Sequence, residues 1–353
     1  MLQYLQTWFN RHFSDPQVVI LALVLLIGVA IALFAGHLLA PLIASVILAY
    51  LLEGIVRMLA RHGVPRTVAV VMVFSLFLTL FIGTMLLLIP LLAGQMGQLA
   101  QELPAIVTKM QALALQLPER YPQIFSDQQI FELLASIRNN LTALGQRIVV
   151  LSLTSAVQFI TFLVYLVLVP LLVFFMLKDK ERIVAWFLLF LPRERSLVNS
   201  VWADVEAGIG SYVRGKFIEI LIVWSVSFVV FALLGLPYAM LLSLVVGLSV
   251  IVPYVGAAVA TIPVAAVGYF EFGISAHFWY VMAAYGIIQF LDGNVLVPLL
   301  FSEVVNLHPV AIIAAVLIFG GIWGLWGVFF AIPLATLIAA VLRAWPATPD
   351  RQS

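Results

Sequence analysis

Uncharged apolar runs, each about as long as a bilayer is thick, dominate this chain. Val68–Leu92 and Val149–Leu177 contain no Asp, Glu, Lys or Arg at all. A helix needs about 20 apolar residues to cross the hydrocarbon core. Soluble domains are about 45–50% apolar and about 25% charged, whereas this chain is 64% hydrophobic and 9% charged. The chain of 353 residues is therefore read as an all-α polytopic membrane protein rather than as two or three soluble domains. A net charge of +1 suggests no nucleic-acid partner, and the absence of cysteine excludes disulfides, thiolate chemistry and Cys-bound metals.

The hydropathy pattern predicts about eight hydrophobic segments. They are Val18–Ala35, Leu38–Leu52, Val68–Leu92, Val149–Leu177, Phe217–Gly235, Tyr238–Phe270, Phe278–Val297 and Val310–Leu342. A hairpin at Gly36 and His37 is expected to join the first two. The chain then divides into an N-terminal part with three spans (1–92), an external helical hairpin (93–147), a long helix plus a cytoplasmic amphipathic helix (148–216), a transport unit (217–343) and a tail (344–353). The N-terminal stretch has no cleavage site and reads as a retained helix.

Within 93–147, Leu92, Met96, Leu99, Leu103, Ile106 and Met110 recur in steps of four and three, as do Ile130, Leu134, Ile137, Leu141 and Leu144. These are heptad seams on two helices, joined by a turn at Pro118–Asp127. Either the seams pack on each other or one packs on a neighbouring subunit. Pro104 is expected to kink the first helix. Basic residues cluster at Arg57, Arg61 and Arg66 and again from Lys178 to Lys216. The positive-inside rule puts both clusters, and with them both termini, in the cytoplasm.

Two of the apolar segments are interrupted. "VPYVG" (Val252–Gly256) splits one, leaving arms shorter than a full crossing, and "FGGIWGLWGVFFAIP" (Phe319–Pro333) splits the other. Pro253 lacks a backbone donor and Gly256 admits unusual dihedrals. The two regions are faintly alike: "GAAVATIP" closes the first and "GVFFAIP" the second. Re-entrant hairpins entering from opposite sides would place a substrate site between them. Close helix packing alone would explain the same Gly and Pro residues.

No Lys or Arg lies between Lys216 and Arg343, yet Glu219, Asp292 and Glu303 do. Placing Asp near a helix centre costs about 2.5–3.5 kcal/mol, so Asp292, flanked by Gln289, Gly293 and Asn294, is the leading candidate for the transport path. It would bind a proton, a monovalent cation or a donor on a solute; the alternative is a cap on a broken helix. Glu219 is read as snorkelling to the cytoplasmic surface. Glu303 and His308 sit at a cytoplasmic mouth, either as a proton-exchanging pair or as a solvated turn. No Walker, GxSxG or HExxH motif is present, so neither an enzyme nor a cofactor is expected.

"LVPLLVFFMLKDKE" (Leu168–Glu181), "GLSVIVPYVGA" (Gly247–Ala257), "DGNVLVPLLFSEVVNLHP" (Asp292–Pro309) and "GGIWGLWGVFFAIPLATL" (Gly320–Leu337) resemble the autoinducer-2 exporter-like family of bacterial permeases. The resemblance implies a multi-pass protein of the bacterial inner membrane with an extramembrane helical insert. It also implies homo-oligomers, such as a pentameric ring, and export of a small polar signalling molecule or of sodium or lithium against protons. Three readings follow: a secondary exporter of a small hydrophilic solute, a cation/proton antiporter working through Asp292, and a non-transporting scaffold.

Overall fold

The computed structural model describes residues 16–114, 135–136, 155–189, 196–253, 255–301 and 308–344. Among these every regular element is helical. Helices α1 (Pro16–Arg61), α2 (Arg66–Ala114), α3 (Ser155–Lys178) and α4 (Lys180–Leu188) form the first half. Helices α5 (Ser196–Leu233), α6 (Ala239–Ser249), α7 (Val255–Phe272), α8 (Ala276–Leu291), α9 (Val297–Phe301), α10 (Pro309–Trp323) and α11 (Leu325–Ala344) form the second. A π-helical turn, Asp292–Leu296, joins α8 to α9. Among the described residues five stretches are long and apolar enough to cross a membrane: Leu39–Arg61, Arg66–Glu102, Gly208–Leu233, Val255–Phe272 and Ala276–Phe301. Much of their surface is bare hydrocarbon: Leu87 is 76% exposed and Leu299 75%. Such positions are stable only against lipid or another apolar partner.

The reversal expected at Gly36 and His37 does not occur. Helix α1 runs without interruption for 46 residues, about 70 Å at 1.5 Å per residue. A lone glycine costs a helix only about 1 kcal/mol, and no second breaker stands beside Gly36. The count that put the N-terminus on the same side as Arg61 relied on that reversal and loses its basis. Likewise Val68–Leu92 does not end at the expected boundary with the external segment: α2 continues through Pro90 and Pro104 for 49 residues. The second seam helix lies outside the described residues apart from Ala135 and Ser136. Leu99, on the first seam, packs against the core formed by α5 to α8.

One end of the bundle is basic. Buried Glu53 on α1 accepts Lys180 Nζ at 3.2 Å, with Arg66 at 3.5 Å and Arg57 at 3.9 Å. A single carboxylate thus ties α1, α2 and α4 together. Beside this cluster, Val56, Ala69, Val73 and Val173 form the apolar contact of α1, α2 and α3.

Helix α5 is the axis of the second half. Its Tyr212, Lys216, Glu219, Val223 and Ser227 are all buried, a spacing of four and three that puts them on one face. Helix α6 descends along α5 from the end opposite the basic cluster, and Gly247 lies against Trp224 and the Ile220 carbonyl. The chain turns at Val250–Pro253, and α7 climbs back, so that Gly268 contacts Leu236. By length alone Val255–Phe272 qualifies as a crossing, but its first turn lies against Ser249 and its last returns to the end it came from. The pair is a helical hairpin whose turn lies beside Lys216 on α5.

Helices α10 and α11 make the second hairpin, reversing at Gly324 (φ 59°). Phe329 packs on Tyr212 with ring centroids 6.2 Å apart, and Thr336 faces Gly208. Helix α11 therefore runs antiparallel to α5, its open end points toward the basic cluster, and its tip is directed to the level of Lys216. The two hairpins enter from opposite ends.

The two leading glycines of the sequence repeat have the same job. A Cβ on Gly256 would overlap the Ser249 carbonyl, and one on Gly327 would overlap the Phe319 carbonyl. In each hairpin a glycine just past the break lets the returning arm touch the end of the entering arm. Gly256→Ala is therefore expected to destabilise by about 1–3 kcal/mol, as overpacking does, visible as a lower midpoint of thermal unfolding in detergent. Gly286→Ala, with nothing within 4 Å of the added methyl, should leave the midpoint within error of the parent.

Candidate functional site

At the level where the hairpins turn, α5 buries an ion pair. Lys216 is 4% exposed and Glu219 1%, and Lys216 Nζ lies 2.6 Å from Glu219 Oε2. The pair is a helical i,i+3 neighbour contact. Glu219 does not snorkel to the surface as its position near a span end suggested. Helix α5 runs unbroken from Ser196, so Glu219 lies well inside it, on the same face as Tyr212 and Val223. Lys216 was counted with the cytoplasmic loop in the sequence. The signal that assigns it to the core is the step of four from Tyr212 and of three to Glu219.

Lys216 also reaches two other elements. Its ammonium donates to the Val250 carbonyl at 2.9 Å, at the C-cap of α6 where the hairpin turns. It stands 5.1 Å from the centroid of the Phe301 ring on α9. Phe301 in turn packs on Tyr212, centroids 5.7 Å apart. One side chain thus connects α5, the tip of the first hairpin and the segment that follows the π turn.

Asp292 stands at the C-terminal end of α8, and its first Oδ1 oxygen is buried without a hydrogen-bond partner. The helix does not end here but continues through the π turn into α9, so the carboxylate has no free helix end to cap, and no capping bond from its side chain is present among the described residues. Lys216 and Glu219 are both within its electrostatic reach. The carboxylate that looked unaccompanied in sequence thus has the buried Lys216–Glu219 pair in its electrostatic surroundings. Gln289, one helical turn earlier, also has a buried side-chain nitrogen, Nε2, with no partner. The backbone here widens into a π turn rather than breaking at Gly293, a local geometry often found at functional sites.

The other sequence candidates divide. Pro253 and Gly256 shape the turn beside Lys216, with Gly256 N donating to the Val252 carbonyl at 2.9 Å. Asn294 is exposed and spends its amide on the Phe290 carbonyl at 2.9 Å, so it does not face Asp292's site. His308 is exposed, and its Nδ1 accepts from Val310 N at 3.3 Å as the cap of α10. Glu303 lies outside the described residues, so the Glu303–His308 pair has no described geometry. Among the described residues no group of three or more His, Cys, Asp or Glu is arranged to hold a metal.

The far end of α2 meets the mouth of the first hairpin. Gln95 Oε1 accepts from Leu241 N at 2.9 Å, satisfying one of the free amides at the start of α6. Tyr238, the preceding residue in left-handed conformation (φ 57°), bonds Glu102. Burial and that carboxylate push its phenol up to about 12. It therefore stays a neutral donor at physiological pH.

A family model described as "AI-2E family transporter" matches residues 20–347. "Putative permease PerM" of Escherichia coli (strain K12) is 45% identical over 350 residues, covering 98% of both chains. "Putative transport protein YueF" of Bacillus subtilis (strain 168) is 26% identical, covering 93% of this chain and 92% of its own. "AI-2 transport protein TqsA" of Escherichia coli (strain K12) is 24% identical, covering 92% of each.

Proposed function

The chain belongs to the AI-2E family of transporters, and from that premise we propose secondary transport of a small hydrophilic solute past Lys216, Glu219 and Asp292. The observation that carries this reading is the convergence of two hairpins, entering from opposite ends, on one level of α5 that holds buried charge. Irregular backbone at membrane depth is tolerated where it is buried in protein or lines a cavity, and paired interrupted segments are a common design for a transport site. Unpartnered polar atoms on Asp292 and Gln289 supply an acceptor and a donor for a polar solute. A relative named for AI-2 transport makes a small signalling molecule the first solute to try, with export as the direction. Nothing in the motifs supports ATP-driven or enzymatic work.

Orientation follows from the basic end. Arg57, Arg61, Arg66, Lys178 and Lys180 gather there, and the positive-inside rule supports a cytoplasmic position for that end in a bacterial inner membrane. Without native cysteine, labelling is clean: Ile274→Cys, in the turn between α7 and α8, should react with an impermeant maleimide on intact cells. His62→Cys should react only after permeabilisation. The reverse pattern would invert the model.

Transport itself is tested with Asp292→Asn, which keeps the shape and removes the charge. In proteoliposomes the variant should insert normally and lose at least tenfold in solute flux, because the remaining Lys216–Glu219 pair is neutral and closed. Flux equal to the parent across the pH range would remove Asp292 from the path. A parent that moves no solute from a broad panel, under any imposed ion gradient, would favour the scaffold reading.

A further inference from the structure

We propose that the basic end of the first half is a binding site for an anionic phospholipid, with the phosphodiester seated among Arg66, Lys178 and Lys180 and an acyl chain laid on the outer face of α3. The headgroup part starts from buried Glu53. That one carboxylate gathers Arg57, Arg66 and Lys180 within 3.9 Å, and the three basic side chains stay 39% to 49% exposed. The other acid in reach, Glu181, stands 3.8 Å from Arg66 with its side chain 86% exposed, and ion pairs so open are worth little. One buried negative charge therefore faces three half-exposed positive ones, and the surplus suits an anion. Arg66 Nη2 is moreover buried without a hydrogen-bond partner, a donor that a phosphate oxygen satisfies. Glu53 Oε2 is likewise unpartnered, and a headgroup hydroxyl, as on phosphatidylglycerol, can donate to it.

Lys178 joins this cluster to hydrocarbon. Its ammonium stands 5.8 Å from the centroid of the Phe174 ring, and Phe174 packs on Phe74 of α2 with centroids 5.0 Å apart. Lys178 and Arg66 therefore both lie at the basic end of the α2–α3 seam. From Lys178 back along α3, Phe175, Leu171, Val167 and Val164 follow in steps of three and four, which puts them on one face. All four are exposed, Val167 by 66%. The track is about 20 Å long, enough for the hydrocarbon of one leaflet, which is about half of a 30 Å core. Helix α4 then leaves with Val184, Trp186 and Leu189 exposed, apolar groups beside basic ones, as on a helix lying in the interface. An acidic protein segment would match the charge but not the hydrocarbon track, and a free phosphate would match only the cluster. A phospholipid matches both, and basic pockets between spanning helices on the cytoplasmic side suit such headgroups. The inference is independent of the transport reading.

Thermal unfolding of the full chain, washed free of lipid in a neutral detergent, tests it. The probes are dioctanoyl phosphatidylglycerol, dioctanoyl phosphatidylcholine and inorganic phosphate, at equal ionic strength. Phosphatidylglycerol should raise the midpoint by several degrees and saturate, and the other two should leave it within error. Lys178 is exposed and has no ion pair among the described residues, so Lys178→Gln should fold like the parent. It should raise the half-saturating lipid concentration about fivefold, the worth of one basic group near a membrane surface. Arg61→Gln removes the same charge about two helical turns beyond Glu53 and should raise it much less. Leu171→Gln, on the acyl track, should also weaken the response. No rise with phosphatidylglycerol overturns the proposal outright. Equal losses in Lys178→Gln and Arg61→Gln would mean a diffuse basic surface and overturn the site. An equal rise with phosphatidylcholine would make the contact apolar only, and a rise with phosphate alone would make the ligand a free anion; either result sinks the phospholipid. An unchanged response in Leu171→Gln removes the acyl track.

Discussion

The buried contact of Lys216 with Glu219 is the interaction on which the second half of the molecule depends. Taking two charges out of water is expensive, and removing one partner of such a pair costs about 3–5 kcal/mol because the other is left unpaired. The pair is tolerable here because the ammonium has further partners, the Val250 carbonyl and the Phe301 ring. Those partners belong to the first hairpin and to the strand of helix beyond the π turn. The same nitrogen that neutralises Glu219 therefore fixes the depth of the α6–α7 tip and the seat of α9.

The hairpins show how weak sequence likeness becomes a shared physical solution. Gly256 and Gly327 each admit a carbonyl from the preceding arm where any side chain would collide. Both hairpins are thereby closed tightly at their tips. One hairpin opens toward Leu236 and the other toward the Glu53 cluster, so a rocking of either one against α5 would expose the same charged level to a different side. The outer stretch of α2 is joined to this machinery through Gln95 and Leu241, which gives a segment far from the charges a mechanical hold on the first hairpin.

Much of the fold was legible because it follows from solvent. Apolar runs of bilayer length and the interruptions at Pro253 and Gly324 are composition and breaker signals, and they led to helices and hairpins where expected. Gly36 misled because a lone glycine looks like a turn in an apolar run but costs a helix little; only tertiary context decides. The site was half legible. Asp292 and Gln289 stood out as polar groups in an apolar run. Lys216 did not, because it follows a loop rich in basic residues, and charge clustering assigned it to the surface. Its helical phase with Tyr212 and Glu219 held the missing information. Asn294 looked equivalent to Gln289 by proximity, yet the π turn re-aims it toward its own helix, a backbone detail that spacing does not encode.

The central claim is that two hairpins end inside the membrane, at the charged level of α5. Nitroxides attached at Val252→Cys and at Ile322→Cys, one near each tip, report depth through collisions with oxygen and with a water-soluble nickel chelate. The account predicts that both reporters in lipid bilayers lie inside the hydrocarbon core, which is about 30 Å thick. If either reporter lies at headgroup depth, that segment crosses the membrane fully, and the meeting of the two tips beside Lys216 and Glu219 is wrong.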